Sequence, residues 1–121
     1  MASILMVDDD AAFRAAVKRA LSGAGHRVEE AADGRQALKA LKAAQPDVVI
    51  TDIIMPDSDG IELIAALKKA HPGVRVLAIS GRGNMGPLDL LKMASVVGAD
   101  ATLSKPLTGD DLLEAVEKLV G

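Results

Sequence analysis

The sequence predicts an α/β fold, a doubly wound (βα)5 open parallel sheet, and three observations support this prediction. Short runs typical of β-strands alternate five times with stretches of helical periodicity. Glycine and proline residues separate the two kinds of segment. The first, third and fourth strand-like runs are almost continuously apolar, as expected of parallel strands that are covered by helices on both faces.

The five predicted strands are short, and most are rich in valine and isoleucine. Turn-forming residues bound them, such as Pro46 before the third strand and His71-Pro72-Gly73 before the fourth. The predicted strands are Ser3 to Val7, Val28 to Ala31, Asp47 to Asp52, Val74 to Ser80 and Ala101 to Ser104.

The five predicted helices repeat apolar residues at intervals of three and four positions. The first helix has Phe13, Val17 and Leu21 on one face, and the last has Leu112 and Val116 in the same relation. The predicted helices are Ala11 to Ser22, Arg35 to Ala43, Gly60 to Ala70, Leu88 to Val97 and Asp110 to Val120.

The topology follows from the alternation of strands and helices. Right-handed crossovers between parallel strands give an open sheet with helices on both faces, and we expect the flavodoxin-like strand order 2-1-3-4-5. A chain of 121 residues has the ordinary size of one domain, so we expect a single domain over residues 1–121 with no output domain. In such sheets, ligands bind beyond the carboxyl ends of the strands.

The composition excludes several classes of function. A net charge of −3 without a basic stripe argues against direct nucleic-acid binding, and a single aromatic residue argues against base stacking. The lack of cysteine excludes disulfides and thiolate catalysis. The N-terminus lacks the signal-peptide pattern, and no apolar run reaches the length of a membrane span. We therefore expect a cytoplasmic protein with no membrane contact.

Polar residues suited to phosphate chemistry follow four of the predicted strands. The acids Asp8 to Asp10 follow the first strand, Asp52 ends the third, Ser80 ends the fourth, and Lys105 follows the fifth. If the first strand lies beside the third, two acidic groups meet in one crevice, where their charges repel. Mg2+ resolves this repulsion, because it binds oxygen ligands and is often held by carboxylates together with phosphate oxygens.

A carboxylate at such a site can attack phosphorus and form an aspartyl-phosphate, and Asp52 has the position for this role. Mg2+ would offset the charge of the phosphoryl oxygens. Lys105 would supply a positive point charge, and the Ser80 hydroxyl would donate a hydrogen bond to another phosphoryl oxygen.

Four motifs of a known family occur here in the order in which that family has them. The family pattern is an acidic pair after strand one, Asp-x-x-Met-Pro-x-x-Asp-Gly after strand three, Ser or Thr ending strand four, and Lys-Pro after strand five. Here these motifs read Asp8-Asp9, Asp52-Ile53-Ile54-Met55-Pro56-Asp57-Ser58-Asp59-Gly60, Ser80-Gly81 and Lys105-Pro106. Over its whole length the chain resembles the receiver domain of bacterial two-component response regulators.

The resemblance implies a role for each of these residues. Asp52 is similar to the phosphoacceptor, which takes its phosphoryl group from the phosphohistidine of a sensor histidine kinase or a histidine phosphotransfer protein. The implied Mg2+ ligands are the side chains of Asp9 and Asp52, the backbone carbonyl of Ile54 and, mostly through water, Asp8. Ser80 and Lys105 contact the phosphoryl group, and the Lys105-Pro106 bond is often cis in relatives.

The resemblance also implies a signalling module rather than an enzyme, one that catalyses only its own phosphorylation and dephosphorylation. Phosphorylation is expected to change the surface around the fourth helix and fifth strand for partner binding or phosphorelay. On that helix Leu88, Leu91 and Met93, with Val97, extend beyond one narrow face, which indicates an apolar contact patch. We expect a monomer or a weak dimer.

One position departs from the family pattern. Relatives usually have Tyr or Phe three residues before the lysine, and this ring turns inward when the strand-four hydroxyl moves toward the phosphate. Here the position is Thr102, and Phe13 lies on the first helix, where it cannot replace the ring. We hypothesise that the signal travels instead through the glycine-rich loop from Gly81 to Pro87.

Several of these residues also have ordinary structural interpretations. Asp10 is best interpreted as a helix N-cap, and Asp57 and Asp59 as turn and cap residues before the third helix. His26 and His71 lie in predicted connections and are interpreted as ordinary surface residues.

Three other functions remain open as alternatives. A phosphatase with an aspartyl nucleophile would need a cap or second domain to enclose a small substrate, and a flavin-binding module would need aromatic residues beside the ring. A degenerate receiver that acts only as a docking surface fits the missing aromatic residue but not the intact set of acids, Ser80 and Lys105.

Overall fold

The computed structural model describes residues 2–55, 58–80 and 87–120. The strands are β1 (Ser3–Val7), β2 (Arg27–Ala31), β3 (Val48–Asp52), β4 (Ile54–Met55), β5 (Ser58–Asp59), β6 (Arg75–Ser80) and β7 (Ala101–Ser104). The helices are α1 (Ala11–Gly23), α2 (Gly34–Ala43), α3 (Gly60–Ala70), α4 (Pro87–Val97) and α5 (Gly109–Val120). Among the described helices, none combines the length and the apolar character that crossing a bilayer requires.

Five parallel strands form the main sheet, in the order β2-β1-β3-β6-β7. Without the two short strands β4 and β5, this is the predicted order 2-1-3-4-5, so the predicted fold class is confirmed. The predicted ends of the elements differ from the observed ones by at most one residue. For example, β6 begins at Arg75 rather than Val74, because the backbone N–H of Val74 closes a turn by donating to the carbonyl of His71 at 3.0 Å.

The register of the main sheet determines which residues meet beyond the carboxyl ends of its strands. Val7 at the end of β1 lies opposite Thr51 of β3, so that Asp8 follows at the level of Asp52. Asp52 in turn lies opposite Ile79 of β6, which places Ser80 one position beyond. The last residues of neighbouring parallel strands therefore lie at the same end of the sheet, as the sequence predicts.

The strands β4 and β5 form a short antiparallel pair that the sequence analysis did not predict. Ile54 lies opposite Asp59 and Met55 opposite Ser58. The pair lies between Asp52 and the first residue of α3, Gly60. A two-residue ladder has too few side chains to show the alternation by which a strand is recognised in sequence.

Two apolar layers cover the two faces of the sheet. Successive β1 residues alternate between them: Ile4 and Met6 pack in one layer, Leu5 and Val7 in the other. The first layer includes Val17 and Leu21 of α1 with Leu112 and Val116 of α5; the second includes Leu41 of α2, Ile64 and Leu67 of α3, and Ala94 of α4. Burial of one such aliphatic side chain contributes about 1.5–3 kcal/mol. Covering both faces requires apolar residues at every position, which explains the continuous apolar runs.

Side chains at the helix starts cap the exposed backbone N–H groups. Asp10 accepts hydrogen bonds from the backbone N–H groups of Ala12 and Phe13, at 3.0 and 3.1 Å, which confirms its predicted role as an N-cap. Asp33 caps α2 in the same way by accepting from Gln36 N–H at 2.8 Å. Such caps are typically worth about 1 kcal/mol each.

Candidate functional site

Three carboxylates meet beyond the carboxyl ends of β1 and β3. Asp8, Asp9 and Asp52 each offer one oxygen, and these oxygens lie within 4.8 Å of one another. Asp8 and Asp52 are 1% and 6% exposed, whereas Asp9 is exposed to solvent. The acids that the sequence predicts to share a site are therefore close together, with one of them open to the surface.

The position of Asp8 is fixed on several sides. Its Oδ1 accepts a hydrogen bond from the backbone N–H of Asp10 at 2.9 Å, and its own N–H donates to the carbonyl of Ala31 at 3.1 Å. Arg14 of α1 donates from Nη1 to the carbonyl of Asp8 at 2.6 Å and pairs through Nε with Glu30 at 3.1 Å. The turn from β1 into α1 therefore holds the acids in place through backbone contacts as well as side chains.

Lys105 brings a positive charge between the two buried acids. Its Nζ lies 3.0 Å from Oδ2 of Asp52 and 3.3 Å from Oδ2 of Asp8. The backbone N–H of Lys105 donates to the carbonyl of Ser80 at 2.8 Å, and the Lys105-Pro106 bond is cis, as the resemblance implies. The lysine side chain is 26% exposed, so the ammonium lies at the boundary between the cluster and solvent.

The close charges perturb two of these groups. Burial is the largest influence on Asp8 and raises the pKa of its carboxyl, and the charge of Asp52 raises it further. The N–H of Asp10 and the ammonium of Lys105 lower this pKa but do not outweigh burial, so the pKa of Asp8 lies above its ordinary value. Burial alone lowers the pKa of Lys105. The hydrogen bond to Asp52 and the charges of Asp52 and Asp8 outweigh burial, so the pKa of Lys105 is raised.

The donor set fits a hard divalent cation. Within the part of the chain that the structure describes, one ammonium faces three carboxylates, which leaves an excess of negative charge in this group of side chains. The available ligand atoms are all oxygens, which Mg2+ and Ca2+ prefer, and Asp9 is open to water, which Mg2+ usually retains as a ligand. The site can thus hold a magnesium ion by its side-chain chemistry.

Ser80 ends the strand next to β3, and Ile54 follows Asp52 by two residues in the sequence. Ser80 is fully buried at the end of β6, where it lies opposite Ser104 of β7. Ile54 begins β4 two residues after Asp52, and the preceding N–H of Ile53 donates to Ile79 at 2.9 Å. The expected roles of the Ser80 hydroxyl and the Ile54 carbonyl remain predictions.

Sequence reasoning missed one residue of the site, Phe13. The ammonium of Lys105 lies over the ring of Phe13, 4.3 Å from its centroid. An open concavity of about 440 Å3 beside them is lined by these two residues with Pro106 and Leu107. Phe13 lies in the first turn of the helix that follows the acids, and this proximity, together with its being the only aromatic residue, was the available signal.

Most of the remaining candidates from the sequence are not described by the structure. Asp57 and the loop 81–86 lie outside the described residues, as do the side chains of Asp59, Leu88 and Leu91. Thr102 is half-buried on β7, opposite Ala78.

The interpretation of His26 as an ordinary surface residue was wrong. Its Nδ1 accepts a hydrogen bond from the backbone N–H of Ala2 at 3.1 Å, and the side chain is half-buried. This contact ties the turn after α1 to the N-terminal end of β1, so the ring has a structural role that its position in a connection did not reveal.

Comparison with known proteins identifies a family. The family model described as the response regulator receiver domain matches residues 4–117. Response regulator MprA of Mycolicibacterium vanbaalenii is 36% identical over 118 residues, covering 97% of this chain and 49% of the relative. The DNA-binding transcriptional regulator NtrC of Azospirillum brasilense is 33% identical over 117 residues, covering 97% of this chain and 24% of the relative. The chain thus spans about half and about a quarter of these relatives.

Solved structures agree in fold over nearly the whole chain. The receiver domain of NtrX from Brucella abortus is 35% identical with a TM-score of 0.90, and the alignment covers 97% of both chains. The chemotaxis response regulator CheY4 of Vibrio cholerae is 33% identical with a TM-score of 0.87, and the alignment covers 98% of both chains.

Proposed function

The chain belongs to the response regulator receiver domain family, and we propose that it accepts a phosphoryl group on Asp52 from the phosphohistidine of a sensor histidine kinase or histidine phosphotransfer protein. Receiver domains are signalling phosphoacceptors, so the role of this domain is to carry a signal. The observation that carries the assignment to Asp52 is its contact with Lys105 at 3.0 Å within a cluster of three carboxylates. The nucleophile Asp52, the cation Lys105 and a candidate metal site thus lie together.

The proposal assigns Mg2+ to this cluster. Asp9 and Asp52 would bind the ion through their side chains, Ile54 through its carbonyl, and Asp8 mostly through water. When bound, the ion supplies positive charge to phosphoryl oxygens that would otherwise be repelled by the carboxylates. Asp9 supports this assignment, because its exposed carboxylate leaves the cluster open toward solvent and toward an incoming donor.

The transfer exchanges one bond to phosphorus for another. An oxygen of Asp52 forms a bond to phosphorus while the phosphorus–nitrogen bond of the donor breaks, and the leaving imidazole takes a proton from solvent. Lys105, already within hydrogen-bonding distance of Asp52, then pairs with a phosphoryl oxygen. The Ser80 hydroxyl donates to another of these oxygens. Hydrolysis of the aspartyl-phosphate by water later returns the domain to its resting state.

Phosphorylation would change the surface formed by α4, β7 and α5, on which a partner or a further phosphorelay protein binds. Two main-chain connections support such coupling: Lys105 N–H donates to the carbonyl of Ser80, and β6 pairs with β7 as far as Ser80 and Ser104. These connections support a coupling in which movement at the end of β6 reaches β7. With Thr102 in place of an aromatic ring, no large side chain at that position accompanies the change.

Intact-mass measurement after incubation with acetyl phosphate and Mg2+ tests the phosphoacceptor. We expect one added phosphoryl group in the native protein and none in Asp52→Asn, because an amide cannot attack phosphorus in this way. Asp10→Asn is the matched control: it removes a neighbouring acid but retains an N-cap side chain, and it should be labelled like the native protein. Equal labelling of native protein and Asp52→Asn would place the chemistry on another residue.

A further inference from the structure

Among the described residues, the ammonium of Lys105 has three neighbours of two different kinds. Two are carboxylates, Asp52 at 3.0 Å and Asp8 at 3.3 Å. The third is the ring face of Phe13, with its centroid 4.3 Å from Nζ. This distance lies within the range of a cation–π interaction, in which the negative face of an aromatic ring attracts a cation.

The position of Phe13 is linked to the acid cluster itself. Its backbone N–H donates to the side chain of Asp10 at 3.1 Å, and the N–H of Asp10 donates to Oδ1 of Asp8 at 2.9 Å. Asp8 in turn contacts Lys105. Contacts through the turn from β1 into α1 therefore connect Phe13 to Lys105 by way of Asp10 and Asp8. These hydrogen bonds link the backbone of Phe13 to the same carboxylate that contacts Lys105.

We infer that Phe13 is a positioning residue that holds the Lys105 ammonium at the site while its anionic partners change. This inference rests on the proposed function. Lysine has a long, flexible stem, and in the transfer its ammonium passes from carboxylate oxygens to a phosphoryl oxygen. A ring face attracts a cation without a directional acceptor atom, so it keeps the ammonium near Asp52 throughout this exchange.

If Phe13 acted by packing alone, its effect would depend on the shape of the side chain and not on the negative charge of the ring face. Phe13 is partly buried and packs against the layer formed by α1 and α5, so this distinction must be tested. The chain offers a direct way, because Phe13 is its only phenylalanine. Growth on fluorinated phenylalanine therefore changes this ring alone, preserving its shape closely while it weakens the negative charge of its face.

The decisive experiment measures the initial rate of Asp52 phosphorylation by acetyl phosphate with Mg2+. The proteins are produced with phenylalanine or with its mono-, di- and trifluorinated forms. We expect the rate to fall stepwise with fluorination, by about three- to ten-fold over the series. Phe13→Leu should be at least as slow, and Phe13→Tyr, which keeps the ring face, should stay near the native rate.

Two further measurements separate positioning from packing. In metal-free protein, the NMR signals of the Lys105 ε-methylene should shift when Phe13 is replaced by Leu but not when it is replaced by Tyr, because the ring lies over this group. In a Lys105→Met background, Phe13→Leu should cause no further loss of rate, because its effect acts through the ammonium.

The possible failures are distinguishable. If native protein is labelled on Asp52 but the rate is flat across the fluorinated series, the inference is wrong and the proposed function stands. An unchanged ε-methylene signal in Phe13→Leu, or an equal loss of rate in both lysine backgrounds, also overturns the inference. If native protein is not labelled on Asp52, the proposed function fails and the inference fails with it.

Discussion

Among single residues, Asp8 lies in surroundings that disfavour its charged form. It is 1% exposed, its neighbour Asp52 carries the same charge, and its pKa is raised mainly by burial. The folded state therefore binds the proton of this carboxyl more tightly than the unfolded chain does. The contribution of Asp8 to stability is fully present below its unfolded pKa and is lost as the pH rises through the folded pKa.

We predict that Asp8→Asn stabilises the metal-free protein at neutral pH by roughly 1 kcal/mol, the usual size of a single stabilising substitution. The amide has no charge to bury, and its oxygen can still accept from the N–H of Asp10. The gain should shrink toward acidic pH, where the native carboxyl is protonated as well. Urea unfolding followed by circular dichroism, with chelator present, measures the free energies.

Asp10→Asn serves as the control for this comparison. It replaces an exposed neighbouring acid with another good N-cap residue, so its free energy of unfolding should stay close to native at every pH. A loss of stability in Asp8→Asn at neutral pH would show that the pair with Lys105 outweighs the cost of burial.

The same residues show what sequence reasoning can and cannot predict about a site. The proximity of Asp8, Asp9 and Asp52 was predictable, because parallel strands bring their carboxyl ends to one edge. The contact between Phe13 and Lys105 was not, because it depends on how α1 lies across the sheet relative to the residues after β7. The hydrogen bond of His26 was not predictable for a similar reason, because its partner Ala2 is distant in the sequence.

At the scale of elements, the segment from Asp52 to α3 turns back on itself closely. The N–H of Gly60 donates to the carbonyl of Ile53 at 3.0 Å, and the pair β4–β5 lies between these residues. A Cβ atom at Gly60 would overlap the carbonyl oxygen and the Cα of Ile53. Glycine is therefore required at the start of α3 for close approach to the strand end that carries Asp52.

We predict that Gly60→Ala destabilises the protein by about 1–3 kcal/mol, the range for overpacking that displaces backbone. Because the displaced Ile53 is adjacent to Asp52, the same variant should be phosphorylated more slowly by acetyl phosphate. Denaturant unfolding and the initial rate of labelling measure the two effects.

Gly73→Ala is the matched control for Gly60→Ala. No atom lies within 4 Å of a Cβ built at Gly73, and its backbone is not in the left-handed region. Its stability should therefore stay within a few tenths of a kcal/mol of native or rise slightly, since alanine reduces the entropy of the unfolded chain. Equal losses in both variants would rule out the close contact with Ile53 as the cause.

At the scale of the whole molecule, the apolar core and the charged site are spatially separate. Two aliphatic layers cover the faces of the sheet, while the three clustered carboxylates lie beyond the carboxyl ends of β1 and β3. The fold class was predictable because continuous apolar strands demand cover on both faces. Most of the stability therefore comes from the apolar layers, whereas the response to ions depends on the carboxylate cluster.

Mg2+ should therefore stabilise the folded protein as a ligand of the native state alone. Asp9 and Asp52 share a site only when β1 and β3 are paired, so the unfolded chain has no equivalent. The free energy of unfolding should rise with the logarithm of ion concentration, by about 1.4 kcal/mol at ten times the dissociation constant. The increase should be accompanied by a higher midpoint of thermal unfolding.

Asp9→Asn is the variant that tests this linkage most cleanly. The Asp9 side chain is exposed, so its replacement should leave metal-free stability near native while most of the Mg2+ effect disappears. Sodium chloride at matched ionic strength is the second control, because screening of the carboxylates alone also relieves some repulsion. If Mg2+ stabilises Asp9→Asn and native protein equally, or does no more than sodium chloride, then the acids at the carboxyl edge do not share the ion. In that case the proposed Mg2+ ligand set, with Asp9 and Asp52 as its side-chain members, would be wrong.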